Sequence, residues 1–337
     1  MSGSWLVTGA GGMLGRDVVA RLAGRDAHGL DRSALDLTDA EAVAATVAGA
    51  RPDVVVNCAA WTAVDDAETR EDEALRINGE GASQLARACA RAGSVLLHVS
   101  TDYVFAGDAT APYPESAPPG PRTAYGRTKL AGERAVRALL PRTGHVVRTA
   151  WLYGAGGANF VRTMIRLESA REHLDVVDDQ RGQPTWTADL ADRLVRLGEA
   201  ALAGAAPAGY WHGTSAGHGT WYELAQETFR LLGADPARVR PTTSAAYVRP
   251  APRPAYSVLG HERWREAGLE PMREWRAALA EALPALVAAE RPEGARGRDI
   301  CGSAAMGVPP FSSEAENLGE RSADGGPRPN DRAPSGT

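Results

Sequence analysis

The chain has 337 residues, 44% of them hydrophobic and 23% charged, enough for one large domain or two smaller ones with a proper core. Thirty-seven basic residues against 42 acidic ones give a formal net charge of −5, which offers no global attraction to nucleic acid or to an acidic membrane surface. No apolar run approaches the roughly 18–20 residues of a membrane span. The first apolar run, Trp5–Val7, has no basic region or signal-type segment before it, so a cytoplasmic location is expected.

The first 150 residues alternate between two patterns. Short apolar runs at 4–9, 53–59, 94–100 and 144–150 read as buried parallel strands, with a weaker strand at 27–30. Segments of helical period lie between them, notably 70–92 and 124–140. This alternation predicts an α/β fold, a doubly wound parallel sheet of Rossmann type, over residues 1–150. Beyond it the pattern loosens. Helices at 157–171, 187–203, 220–233 and 272–287, with short strands at 174–177 and 209–212, predict a smaller mixed α/β substrate lobe over 151–289, with segments that return to the core. Residues 290–337, rich in Gly, Pro, Ser and charge, read as a disordered extension. Cys58, Cys89 and Cys301 show no paired or metal-type spacing, and the first two read as small core residues.

Between the first strand and the first helix, Gly9, Gly12 and Gly15 are spaced G-x-x-G-x-x-G. Glycines there permit a tight turn and let backbone approach a pyrophosphate, whose charge a helix N-terminus stabilises. Asp31 follows at the expected end of the second strand, where a carboxylate accepts from ribose hydroxyls and favours NADH. Arg32 is adjacent, and a guanidinium pairs with the extra phosphate of NADPH, so both cofactors stay open. Asp36 and Leu37 are candidates for the adenine edge, and Asp39 for a helix N-cap. The small residues of "NCAAWT" would let a dinucleotide lie against the backbone.

The fourth strand ends at Ser100, Thr101 and Asp102, where ligands bind in an open α/β sheet. Tyr125 and Lys129, four residues apart at the start of a helix, share one face. A ketone that accepts a hydride needs a proton on its oxygen. Tyr125 can supply it, Lys129 can acidify the phenol and hold the nicotinamide ribose, and Thr101 can orient the carbonyl. His98 and His145 lie in strand runs and read as core, and Thr220 reads as a cap.

With "STDYVFAG", "YGRTKLAGE", "RTAWLYG", "NFVRTM", "DDQRGQPT" and "RPAYSVL", the chain resembles an extended short-chain dehydrogenase/reductase, and more narrowly the dTDP-4-dehydrorhamnose reductase family, over about 4–288. The resemblance implies NADPH- or NADH-dependent reduction of the C4 ketone of a dTDP-bound 6-deoxyhexulose. It implies Thr101, Tyr125 and Lys129 as catalytic residues. Cofactor contacts are implied for Gly12, Met13, Leu14, Asp31, Asp36, Leu37, Ala60, Trp61 and Thr62, and sugar contacts for Asp102 and Trp151. Two alternatives remain: an antibiotic-pathway deoxysugar reductase, such as a dTDP-dihydrostreptose synthase, or a dinucleotide-binding regulatory subunit. Some members of the family form a magnesium-linked dimer through acidic side chains. Asp17 matches one of these, but Ala188 stands where another glutamate is expected, so no metal is expected, and the chain is read as a monomer or homodimer.

Overall fold

Six parallel strands form one sheet among residues 3–291, the part of the chain that the computed structural model describes. Its first five strands are β1 (Trp5–Thr8), β2 (Ala27–Leu30), β3 (Val54–Asn57), β4 (Val95–Thr101) and β5 (Gly144–Thr149). From one edge the order is β2, β1, β3, β4, β5 and then Gly209–His212. β1, β3 and β5 are buried along their whole length, which explains their unbroken apolar runs, whereas the edge strand β2 is half-exposed and gave the weaker signal. The chain leaves β1 to one side for β2 and to the other for β3. The loops beyond the carboxyl ends of β1 and β3 therefore diverge and open a crevice.

Glycines open the first helix, α1 (Met13–Arg21), and Asp39 caps the second, α2 (Ala40–Ala50), accepting from the N–H groups of Glu41 and Ala42. The helical stretch expected over 70–92 is broken by a π-helical turn at Arg76–Gly81. That turn carries Asn78, whose Oδ1 accepts from Trp61 N–H at 2.8 Å while its Nδ2 donates to the Trp61 carbonyl at 3.1 Å and to Thr128 Oγ1 at 3.1 Å. The widened turn thus ties the loop after β3 to the helix Ala124–Leu139.

Residues 187–212 belong to the core and not to the lobe. Gly209–His212 pairs with β5, and Leu190, Leu194 and Leu197 of the helix Thr187–Leu202 share an apolar cluster with Trp5, Val7 and Val54. The lobe has a separate core: Phe160, Met164 and Ile165 pack with Leu224, Phe229, Trp275 and Leu279 from the helices Phe160–Ala170, Trp221–Leu231 and Trp275–Glu290. Asn159 caps the first of these, and Thr220 with Glu223 forms a capping box on the second. His98 and His145 are buried in β4 and β5. Glu290 ends the last helix and accepts from Arg162 Nε at 2.9 Å, while Arg291 donates to the Ile165 carbonyl at 2.8 Å, so these two residues belong to the fold. The rest of the expected extension, with Cys301, lies outside the described residues.

Candidate active site

A cleft of about 1080 Å³ runs beyond the carboxyl ends of β1, β3 and β4, with walls from both the sheet and the lobe. Every residue expected to contact a dinucleotide lines it except Trp61. The Trp61 indole lies beneath the Arg70 guanidinium, 4.7 Å from its centroid, and donates to the Ala63 carbonyl at 2.9 Å. The neighbours of Trp61, Ala60 and Thr62, do line the cleft.

The glycine turn fits a pyrophosphate. Gly9 has φ +70°, and a Cβ there would lie 2.6 Å from Ala59 N. A Cβ on Gly15 would lie 2.1 Å from the Gly9 carbonyl oxygen. The turn can therefore fold back tightly only without side chains, leaving the N-terminus of α1 facing the cleft. At the end of β2, Asp31 Oδ1 accepts from Ser33 Oγ at 2.6 Å, Ser33 N–H at 2.9 Å and Ala34 N–H at 3.1 Å. These bonds, the Ser33 hydroxyl first, hold its carboxyl below the usual range. Asp36 closes a similar turn on Thr38. Arg32 lines the same end of the cleft.

Deeper in the cleft, Thr101, Asp102, Tyr125 and Lys129 come together, buried. Thr123 caps the helix that begins just before Tyr125, which fixes where its first turn points. Thr101 Oγ1 donates to Asp102 Oδ1 at 3.0 Å, and a hydrogen bond joins Thr101 to the Tyr125 phenol. Burial raises the Asp102 carboxyl to about 6, against hydrogen bonds from Ser257 and Thr101 that lower it. Lys129 Nζ donates to the Val99 carbonyl at 2.8 Å, and burial lowers the ammonium to about 8.

One expectation is corrected here. Burial pushes the Tyr125 phenol up, the Thr101 hydrogen bond pulls it down, and the charge of Asp102 raises it further. The phenol thus lies above its ordinary value, and the Lys129 ammonium is directed at the Val99 carbonyl. Cys58 is also not a plain core residue. It is half-buried on the cleft wall near Lys129, with its thiol pushed up to about 12 by burial.

On the lobe side Trp151 adopts φ +48°, a left-handed backbone that a bulky residue rarely holds. Its ring stacks on Trp221 with centroids 3.6 Å apart and planes 8° from parallel. Trp221 Nε1 donates to Gln180 Oε1 at 3.1 Å, and both residues line the cleft.

These features match a family already characterised. Residues 4–288 match the model of the RmlD substrate binding domain. A dTDP-4-dehydrorhamnose reductase of Streptomyces griseus is 64% identical over 284 residues, 84% of this chain and 93% of that protein. The chain belongs to the RmlD family. A probable dTDP-4,6-dihydroxy-2-methyloxan-3-one 4-ketoreductase of Streptomyces antibioticus is 58% identical, over 87% of this chain and 99% of that one. The crystal structure of dTDP-4-dehydrorhamnose reductase from Bacillus anthracis in complex with NADP superposes with a TM-score of 0.80 at 37% identity, covering 84% of this chain and 99% of the other.

Some cleft contacts of this RmlD-family chain join residues far apart in the sequence. Arg249 and Arg253 line the cleft and are both held by the buried Asp65, at 3.2 and 2.8 Å. Asp65 lies 184 and 188 positions before the two arginines, so no periodicity or motif spacing joins it to them. Gln180, within "DDQRGQPT", and Trp221, in the helix expected at 220–233, also line the cleft, a role the sequence reading did not assign to them. Burial raises the Asp17 carboxyl against a hydrogen bond with Thr187. Among the described residues no group of three or more His, Cys, Asp or Glu side chains could hold a metal ion, and no helix is long and apolar enough to cross a membrane.

Proposed function

We propose that the chain catalyses the NADPH- or NADH-dependent reduction of the C4 ketone of a dTDP-4-dehydro-6-deoxyhexose, of the dTDP-4-dehydro-L-rhamnose to dTDP-L-rhamnose type. The observation that supports this best is the convergence of Thr101, Asp102, Tyr125 and Lys129 in one cleft, between a pyrophosphate-type glycine turn and the Trp151–Trp221 stack. A cleft of about 1080 Å³ is roomy for one small ligand and suits a dinucleotide beside a nucleotide sugar.

The bound reduced nicotinamide supplies the hydride. Tyr125 supplies the proton. A donor must start protonated, and burial keeps this phenol so until charge develops on the substrate oxygen. Thr101, bonded to both Tyr125 and Asp102, orients that oxygen. Lys129, anchored on Val99, holds the cofactor's ribose beside the phenol. The indole of Trp151 offers an apolar face to the deoxysugar side of the substrate. All these groups lie on one chain, which suits a monomer or a homodimer equally.

The Streptomyces antibioticus relative favours a second reading, a deoxysugar 4-ketoreductase of an antibiotic pathway. A regulatory subunit without catalysis is disfavoured because Thr101, Tyr125 and Lys129 are all present and convergent. The test is incubation with dTDP-4-dehydro-β-L-rhamnose and either NADPH or NADH, with the sugar product identified by NMR. Formation of dTDP-L-rhamnose is expected. If neither cofactor is oxidised, the reading fails; oxidation only with a different dTDP-ketosugar selects the second reading.

A further inference from the structure

Lys129 is the only lysine in the 337-residue chain; the other 36 Lys or Arg positions are all arginine. The two cations differ in a way that matters in a buried site. A guanidinium stays charged, whereas an ammonium responds to its surroundings. What surrounds this ammonium can be read group by group. Tyr125 lies one turn before it and Glu133 one turn after it on the same helix face. From β4 comes His98, whose imidazole burial holds well below its ordinary range and therefore neutral. From the end of β3 comes Cys58, whose thiol is neutral as well. Glu133 supplies negative charge close to Lys129.

Glu133 does not form an ion pair with Lys129, however. It is wholly buried, and both its oxygens are held by Arg148 of β5, Nε to Oε1 at 2.9 Å and Nη2 to Oε2 at 2.7 Å. The guanidinium is clamped in turn between the rings of Phe105 and Tyr210, 4.8 and 4.3 Å from their centroids. A buried ion pair contributes little to stability compared with an apolar pair of the same volume. Stability alone therefore does not account for two charges here.

We propose that the Glu133–Arg148 pair is a positioning device for Lys129: by occupying both oxygens of Glu133, Arg148 keeps that carboxylate near enough to offset the burial of the ammonium but unable to capture it. Lys129 thus stays charged while its protons remain directed at Val99 and the cleft. The inference rests on the catalytic role given to Lys129 above, but its test does not depend on turnover.

The single lysine makes that test direct. In full-length protein labelled with [ε-¹³C]lysine, one side-chain signal reports Lys129 and its titration is read by NMR. The wild-type ammonium is expected to titrate near 8. Glu133→Gln leaves a buried guanidinium without its counter-charge and should lower that midpoint by about one pH unit. Arg148→Met frees Glu133 to pair with Lys129 and should raise it by about the same amount. Shifts in opposite directions support the proposal, whereas a pair too remote to act on Lys129 would leave both midpoints at the wild-type value. A Glu133→Gln titration that coincides with wild type, or a shift of both variants in the same direction, overturns it. Should a single variant fail to fold, the double variant Glu133→Gln/Arg148→Met, which removes both charges together, decides the matter. Its midpoint must fall below that of wild type, and a midpoint that coincides overturns the proposal. Loss of reductase activity without these shifts would count against the positioning role and leave the assigned reaction standing.

Discussion

The two ends of the cleft are built on different principles. At the cofactor end the binding surface is backbone: a glycine turn, a helix N-terminus and small residues after β3, each adjacent in sequence to the strand that positions it. At the substrate end it is side chains, drawn from segments far apart: Trp151 against Trp221, and Asp65 holding Arg249 and Arg253. A backbone site is fixed by local geometry and tolerates little variation. A side-chain site on loops can be rebuilt without disturbing the sheet beneath it. The difference fits relatives that are named for different dTDP-sugars and are still 64% and 58% identical to this chain.

The residues proposed as catalytic stand at the junction of the two ends, so variants there should give the largest effects. Tyr125→Phe removes only the proton donor, and turnover should fall about 10²–10⁴-fold while the dissociation constant of NADPH, followed by fluorescence, stays near that of wild type. Near-normal turnover would remove the phenol from the mechanism. Trp151→Ala tests the substrate end alone. It should raise KM for the dTDP-sugar by about 10-fold with the cofactor's affinity unchanged; an equal loss at both ends would break the division drawn here.

Asp102→Asn probes the cost of a function-bearing carboxylate. Its folded-state value, about 6, lies above the ordinary 3.8, so the fold favours the protonated form. The resulting destabilisation is absent at low pH and fully present once pH has risen through about 6. The amide should therefore stabilise the protein by about 1–3 kcal/mol at pH 8 and hardly at all at pH 4, read from denaturant midpoints at the two pH values, while turnover falls. The smallest effect concerns the lobe's end. Removing Glu290 and Arg291 along with everything after them should lower Tm by about 2–4 °C relative to a chain ending at Arg291, because Arg162 loses its buried-side partner.

Much of the fold was legible because its signals are local. The strands at 27–30, 174–177 and 209–212 and the helix at 124–139 that carries Tyr125 and Lys129 appear where their apolar patterns put them. The π-turn at Arg76–Gly81 was not, since its reason lies in Asn78 reaching Trp61 and Thr128 across the fold. Membership of the strand Gly209–His212 in the main sheet was equally hidden, because a short apolar run does not state its partner. Trp61 was legible as belonging to the loop after β3 but not as turned beneath Arg70.

By itself, then, the amino-acid order determined the periodicities, the glycine turn and the one-turn spacing of Tyr125 and Lys129, all of which act over a few residues of backbone. Only the tertiary structure decided the protonation of those groups and the company they keep. Burial raised the phenol and lowered the ammonium, and Arg148 took the carboxylate that sequence spacing alone would have paired with Lys129. Charge in a folded protein is set by desolvation and by neighbours in space, and neither is written along the chain.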